Sequence, residues 1–135
     1  MLFRSAEIVT SAPQLRSAEV RLILQPMTKQ EHLRSALYSA GFEIIAERYS
    51  SAEGKHYVCM LVAYSGSERT LSLLESHLGV SPVVGGREDY IGYLEGKLRA
   101  LEVAVSGKER GGIDASEDAL AARAVAKRIE QLRQG

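Results

Sequence analysis

Two apolar, β-rich segments, Phe42–Tyr49 (FEIIAERY) and Tyr57–Tyr64 (YVCMLVAY), are joined by little more than Ser50-Ser51-Ala52-Glu53-Gly54-Lys55. β-Branched and aromatic residues favour strands, and so short a link with Gly at its turn closes a hairpin. A parallel crossover needs about a dozen residues, so the two strands are expected to be antiparallel neighbours. The apolar density of YVCMLVAY suits a central strand covered on both faces. Upstream, Val20, Leu22, Ile23 and Leu24 form a run closed by Pro26. It reads as another strand buried on both faces, a buried helix turn being the alternative that pattern leaves open. Between the run and the hairpin, Lys29–Ala40 reads as a helix. Thr28 and Glu31 have capping-box spacing, Leu33, Ala36, Leu37 and Ala40 share a face, and Gly41 stands at C′. Glu7–Leu15 has helix-like spacing interrupted at Pro13. The expected sheet places Tyr57–Tyr64 between the other two strands, antiparallel to both.

Ser67–Leu78 reads as a helix with Leu71, Leu74 and Leu78 on one face and Gly79 as its stop. Gly79–Arg87 (GVSPVVGGR) reads as a loop and marks a division into residues 1–79 and 80–135. Beyond it, Ile91, Leu94, Leu98, Leu101 and Val105 follow the alternating three-and-four spacing of a coiled-coil stripe. Gly107–Ile113 is expected to break it, Asp114 with Glu117 offers a second capping box, and Ala121, Val125, Ile129 and Leu132 continue the apolar face. The simplest arrangement is an antiparallel helical hairpin of about five turns per arm.

With 135 residues, 45% of them hydrophobic and 25% charged, wholesale disorder is excluded. Lys+Arg and Asp+Glu balance at 17 each, so any nucleic-acid footprint has to be local. The longest stretch free of charged residues, His56–Ser67, is 12 residues, short of the roughly 20 that span a bilayer. The start, MLFRSAEIVTSAP, lacks the apolar core of a secretory signal, and the single Cys59 cannot form an internal disulfide. Both features point to the cytoplasm. His32, His56 and His77 lie far apart in sequence and no metal site is expected. His32 reads as a surface residue and Cys59 as a small buried hydrophobe. Gly85-Gly86 and Gly111-Gly112 read as linker pairs, away from the strand-to-helix setting that phosphate binding needs. Spacing alone picks out no catalytic residue. One feature stands out physically: ligands of open α/β sheets bind beyond the carboxyl ends of the strands. There Gln25 places an amide, and Pro26 stiffens the turn. The bland alternative is that Gln25 only satisfies loop backbone groups.

The residues at this segment resemble a known family. Arg21-Leu-Ile-Leu-Gln-Pro-Met-Thr-Lys-Gln-Glu-His-Leu-Arg34, Ala40-Gly-Phe-Glu-Ile-Ile45 and Glu53-Gly-Lys-His-Tyr57 are similar to the bacterial tRNA (adenine(22)-N(1))-methyltransferase family, enzymes that use S-adenosylmethionine. The likeness is by motif over Glu7 to Ala63, and in kind for the helical hairpin. It implies an α/β fold: the C-terminal half of a Rossmann-like class I methyltransferase sheet, followed by an antiparallel coiled-coil hairpin. Val20–Gln25, Phe42–Tyr49 and Tyr57–Tyr64 would be strands 5, 6 and 7, in the order 5-7-6. The family's glycine-rich cofactor loop after strand 1, its acidic residue after strand 2 and the glycine-rich segment after strand 4 have no counterpart in residues 1–135. The resemblance therefore implies a domain cut from a longer protein, a truncated reading frame or a decayed copy. Strand 5 would then carry an unpaired edge open to self-association.

Three functions follow. The first is methyl transfer to N1 of a tRNA adenine, with Gln25, Pro26, Met27 and Tyr57 against the base and either Tyr57 or Tyr49 stacking on it. In that reading Lys29, Arg123, Lys127 and Arg128 contact RNA. The second is a non-catalytic RNA-binding module, and the third a coiled-coil partner. The bland reading of Arg123, Lys127 and Arg128 is a solvated helix face.

Overall fold

A computed structural model describes residues 12–17 and 19–135. After a 3-10 turn at Pro13–Leu15, the chain forms β1 (Arg21–Leu24), α1 (Gln30–Ser39), β2 (Phe42–Ala52) and β3 (Lys55–Tyr64). It continues through α2 (Leu73–Leu78), β4 (Val83–Val84), α3 (Arg87–Arg110) and α4 (Ser116–Gln134). Most of the helical expectation for Glu7–Leu15 lies outside the described residues, and its described end is the 3-10 turn.

The sheet order is β1-β3-β2-β4, with β3 antiparallel to both β1 and β2, and β4 parallel to β2. The central position of Tyr57–Tyr64 is thus as the link length predicts. Its turn is tight: Ala52 pairs with Lys55, leaving Glu53 at φ +54 and Gly54 at φ +77. Two successive positive φ values match the twist of the flanking strands, and glycine adopts that region without penalty.

The strands are not covered on both faces. Burial alternates along β1 and β3, so Val58, Met60 and Val62 are buried while Ile23 is 77% exposed. Among the described residues β1 is an edge strand, and the helices cover one face of the sheet only. Cys59, on the other face, is half-buried rather than buried. In β2 the register slips between Ile44 and Ala46. That bulge lets Phe42 and Ile44 before it, and Glu47 and Tyr49 after it, all face the core despite the odd spacing between Ile44 and Glu47.

The helices depart from expectation at their ends. Thr28 does not cap α1: Lys29 occupies the N-cap position at φ +56 with no side-chain cap, while Gly41 follows the helix at φ +89 as predicted. Glu31 is drawn to Lys97 instead. Residues 67–72 are not helical, because Ser72 and Glu75 form a complete capping box that starts α2 at Leu73. The expected Gly79–Arg87 loop contains β4, which adds to the edge of β2. α3 runs through Gly107 to Arg110, and Asp114 accepts from the Ser116 amide rather than boxing with Glu117. Ion pairs Lys108–Asp118 at 2.7 Å and Arg133–Glu95 set α3 and α4 antiparallel. Ile91, Leu94 and Leu101 of the predicted stripe are buried, as are Ala121, Val125 and Ile129 opposite. The hairpin is not a free-standing arm. Tyr90 and Tyr93 of α3 pack their rings at 4.6 and 4.7 Å from that of Tyr49, which fastens it to the sheet.

Candidate functional site

The deepest polar group is an ion pair. Arg34 of α1 and Glu47 of β2 are each 1% exposed at their side chains. They meet through two parallel bonds of 2.8 Å, Nε to Oε2 and Nη2 to Oε1. Arg34 Nη1 also donates to the carbonyls of Ser76 and His77 at 3.0 and 3.2 Å, and the Tyr49 hydroxyl donates to Glu47. A carboxylate with a bidentate guanidinium offsets much of the cost of burying both. Against the opposing effect of burial, Glu47 holds the Arg34 pKa above its usual range. Burial also pushes the Tyr49 hydroxyl well above the ordinary phenol range. Gly79, at φ +80, closes the site: a Cβ there would lie 3.3 Å from Glu47 Oε2. This network ties α1, β2 and the last turn of α2 into one body. Sequence reasoning missed it, although an Arg on the apolar face of α1 and a Glu out of phase in β2 are its trace.

Above the network lies a cleft of about 930 Å³. Its walls are the loop after β1 with the start of α1 (Met27–His32), the hairpin return (Lys55–Tyr57), α2 and one face of α3. Because β1 and β2 both run antiparallel to β3, they point the same way, and the cleft follows the carboxyl ends of both. The hairpin wall is pinned to α3 by Ser51 Oγ donating to Asp89 at 2.9 Å and by the His56 ring lying on Gly92. His77, fixed through its carbonyl by Arg34, lines the floor at 8% exposure, and its buried Nδ1 has no hydrogen-bond partner among the described residues. Burial, with Lys97 and Arg34 nearby, lowers the His77 pKa, so the ring is neutral at pH 7. Lys97 pairs with Glu31 at 3.2 Å and Lys108 with Asp118, whereas Lys29 and Lys55 make no ion pair among the described residues. The lining sets Lys29, Lys55, Lys97 and Lys108 against Glu31, Glu117 and Asp118, so the surface is polar and of mixed charge. Among the described residues no three His, Cys, Asp or Glu cluster for a metal ion.

Of the residues picked out by sequence, Met27, Lys29 and Tyr57 line this cleft together. Gln25 is exposed and Pro26 buried beside it, and neither lines the cleft. The Gln30 side chain donates to the Pro26 carbonyl at 3.5 Å. Arg123 and Lys127 are exposed on α4, away from the cleft lining, and Arg128 is half-buried, donating to the Tyr90 hydroxyl at 3.1 Å. Tyr49 cannot stack on a base, since it is 2% exposed and flanked by Tyr90 and Tyr93. His32 is exposed as expected. Gly85-Gly86 does stand between a strand and a helix, contrary to its reading as a linker pair. Glu88 and Asp89 already supply negative charge to that helix start.

Residues 6–131 match the family model of the tRNA (adenine(22)-N(1))-methyltransferases. Among solved structures, Streptococcus pneumoniae Sp1610, assigned as a tRNA (m1A22) methyltransferase, aligns at 25% identity and a TM-score of 0.61. The alignment covers 96% of this chain and 56% of that one. Its complex with S-adenosyl-L-methionine aligns at 22% and 0.63, over 89% and 53%. A Streptococcus agalactiae protein of the NADB-Rossmann superfamily aligns at 20% and 0.57, over 97% and 54%. M. capricolum TrmK bound to S-adenosyl-homocysteine aligns at 18% and 0.58, over 92% and 54%. The chain thus spans little more than half the length of each. No curated protein matches significantly.

Proposed function

The chain belongs to the tRNA (adenine(22)-N(1))-methyltransferase family, and we propose that it forms the C-terminal part of an enzyme that methylates N1 of a tRNA adenine. The observation that carries this is the cleft at the carboxyl ends of β1 and β2, where sheets of this kind present their substrates. In this reading β1, β2 and β3 are strands 5, 6 and 7 of the class I methyltransferase sheet. Residues 1–79 supply strands 5 to 7 of that sheet, and 80–135, after adding β4 at its edge, form a coiled-coil hairpin domain. S-adenosylmethionine supplies the electrophilic methyl group. The glycine-rich turn that would hold it is not found in residues 1–135, so no transfer step is assigned to a residue of this chain.

The chain's own residues position the RNA, which is the larger part of catalysis when a ring nitrogen only has to line up with a methyl group. Tyr57 and Met27 offer flat apolar contact to the base, while Gln25, exposed outside the cleft lining, offers an amide to a neighbouring part of the RNA and Pro26 stiffens the turn between them. Lys29, Arg123, Lys127 and Arg128 neutralise phosphates. The enzyme works where tRNA is, in the cytoplasm. The outer edge of β1, which pairs with no strand among the described residues, receives the next strand of the complete sheet, or a second copy. Titration of the chain with unmodified tRNA and, separately, with S-adenosylmethionine tests the proposal. Salt-dependent tRNA binding with no micromolar affinity for the cofactor is expected. Absence of tRNA binding would overturn it.

A further inference from the structure

The face of the sheet turned away from the helices carries an ordered pattern. Strand alternation and register put Ile23, Leu61 and Ala46 in one row on that face, across β1, β3 and β2. Ile23 is 77% exposed, Ile45 beside Ala46 in the bulge is 37% exposed, and Cys59 next to Leu61 on this face is half-buried. A contiguous exposed apolar patch marks an interaction surface. Two charges bracket the row on β2. Glu43 pairs with Ala63 and Arg48 with Cys59, and these two β3 residues stand two places to either side of Leu61. Glu43 and Arg48 therefore lie about 7 Å from the apolar row in opposite directions, at roughly 3.4 Å per residue. Both are exposed, and neither makes an ion pair among the described residues.

We propose that this face is the interface of a two-fold dimer formed with a second copy of the chain. A two-fold axis along the row, midway between two stacked faces, reverses the strands of the second copy and keeps row upon row. Ile23, Leu61 and Ala46 then meet their own counterparts, Glu43 meets Arg48 of the second copy, and Arg48 meets its Glu43. On β1, Arg21 falls toward the exposed Gln25 of the second copy, so no like charges in these rows are opposed. Aligned sheets stack about 10 Å apart, a gap that facing arginine and glutamate side chains bridge. A second copy is the occupant because one face supplies both halves of the charge match. The formal net charge of +0 leaves no long-range repulsion between copies. With β1 four residues long and β4 two, the contact is smaller than the roughly 800 Å² per partner of a standard interface, so the dimer is reversible, of micromolar affinity.

Sedimentation equilibrium of the 135-residue chain, from low micromolar to near millimolar concentration, measures the association, and circular dichroism confirms that each variant folds. The unaltered chain should pass reversibly from monomer to dimer. Ile23→Glu, at an exposed position, should leave a monomer throughout. Glu43→Arg or Arg48→Glu alone sets like charges against each other twice in the dimer, and each should weaken it by about tenfold or more. The double variant E43R/R48E restores both pairs with their signs exchanged and should dimerise within about threefold of the unaltered chain. The Cys59 thiol, which lies in the patch, should react more slowly with a maleimide as concentration rises. An unaltered chain that stays monomeric throughout would overturn the proposal. A dimer that survives I23E, or that the double swap fails to restore, would also overturn it and move the association to the β1 edge or the helical hairpin. None of these outcomes bears on tRNA binding or methyl transfer.

Discussion

Removing Arg34 should be the most damaging single change in the protein. Arg34→Ala strands Glu47, whose side chain is 1% exposed, and leaves the carbonyls of Ser76 and His77 and the Tyr49 hydroxyl short of a donor. Breaking a buried pair from one side costs about 3–5 kcal/mol, because the remaining charge stays desolvated. Against a total stability of roughly 5–15 kcal/mol for a domain, that is a large fraction. Glu47→Gln keeps the shape and one acceptor but loses the charge, so a loss of about 2–3 kcal/mol is expected, in the range of a charged hydrogen bond. Replacing both residues by leucine removes the uncompensated charge. With Arg34→Leu and Glu47→Leu as the matching single variants, the double variant should therefore be more stable than the sum of their two losses implies, by about 2 kcal/mol, the coupling that residues in one network show. Urea unfolding followed by circular dichroism, with the denaturant slope checked for constancy, measures all three. Single losses below about 1 kcal/mol, or strictly additive effects, would refute the claim that this pair holds α1, β2 and α2 together.

Other consequences are directly measurable. Gly54→Ala has room for its Cβ but keeps φ +77, so it should destabilise the hairpin by about 1 kcal/mol, and a neutral result would contradict the turn geometry. The His77 pKa is lowered on folding, so the unfolded chain binds the extra proton first. Stability should be full above about pH 6.5 and decline as pH falls. His77→Gln should flatten that decline between pH 7 and 5, and an unchanged slope would exclude His77 as its source. Changing Lys127 and Arg128 to Ala, in a protein carrying the complete methyltransferase sheet, should weaken tRNA binding across sequences and flatten its salt dependence. An unchanged salt slope would reduce this face to solvated helix surface.

Local signals carried the sheet. The Gly54 turn and the apolar runs dictated a hairpin with β3 in the centre, and periodicity located α3 and α4. Spacing located the helix ends at Gly41 and Gly79 but not the helix starts, because Ser72 with Glu75 forms a real capping box whereas Thr28 with Glu31 does not. The second pair fails because Lys97, distant in sequence, takes Glu31. Nor could strand periodicity foresee the bulge that turns Glu47 inward, and with it the Arg34 network. The cleft was half legible. Met27, Lys29 and Tyr57 lie near the strand ends where ligands bind, but His77 and the Gly96–Ala104 face reach it only through tertiary packing. Tyr49 was misread for the same reason: nothing local says that Tyr90 and Tyr93 will enclose it.

Nucleoside mass spectrometry puts methyl transfer to tRNA to its most direct test. The chain is joined to the cofactor-binding half of a family member and incubated with unmodified tRNA and isotopically labelled S-adenosylmethionine, and the RNA is then digested. Labelled 1-methyladenosine should form, and should fall with K29A/K55A in this chain at unchanged cofactor affinity. A joined protein that folds and binds the cofactor, yet yields no methylated adenosine or methylates a different atom, would contradict the account.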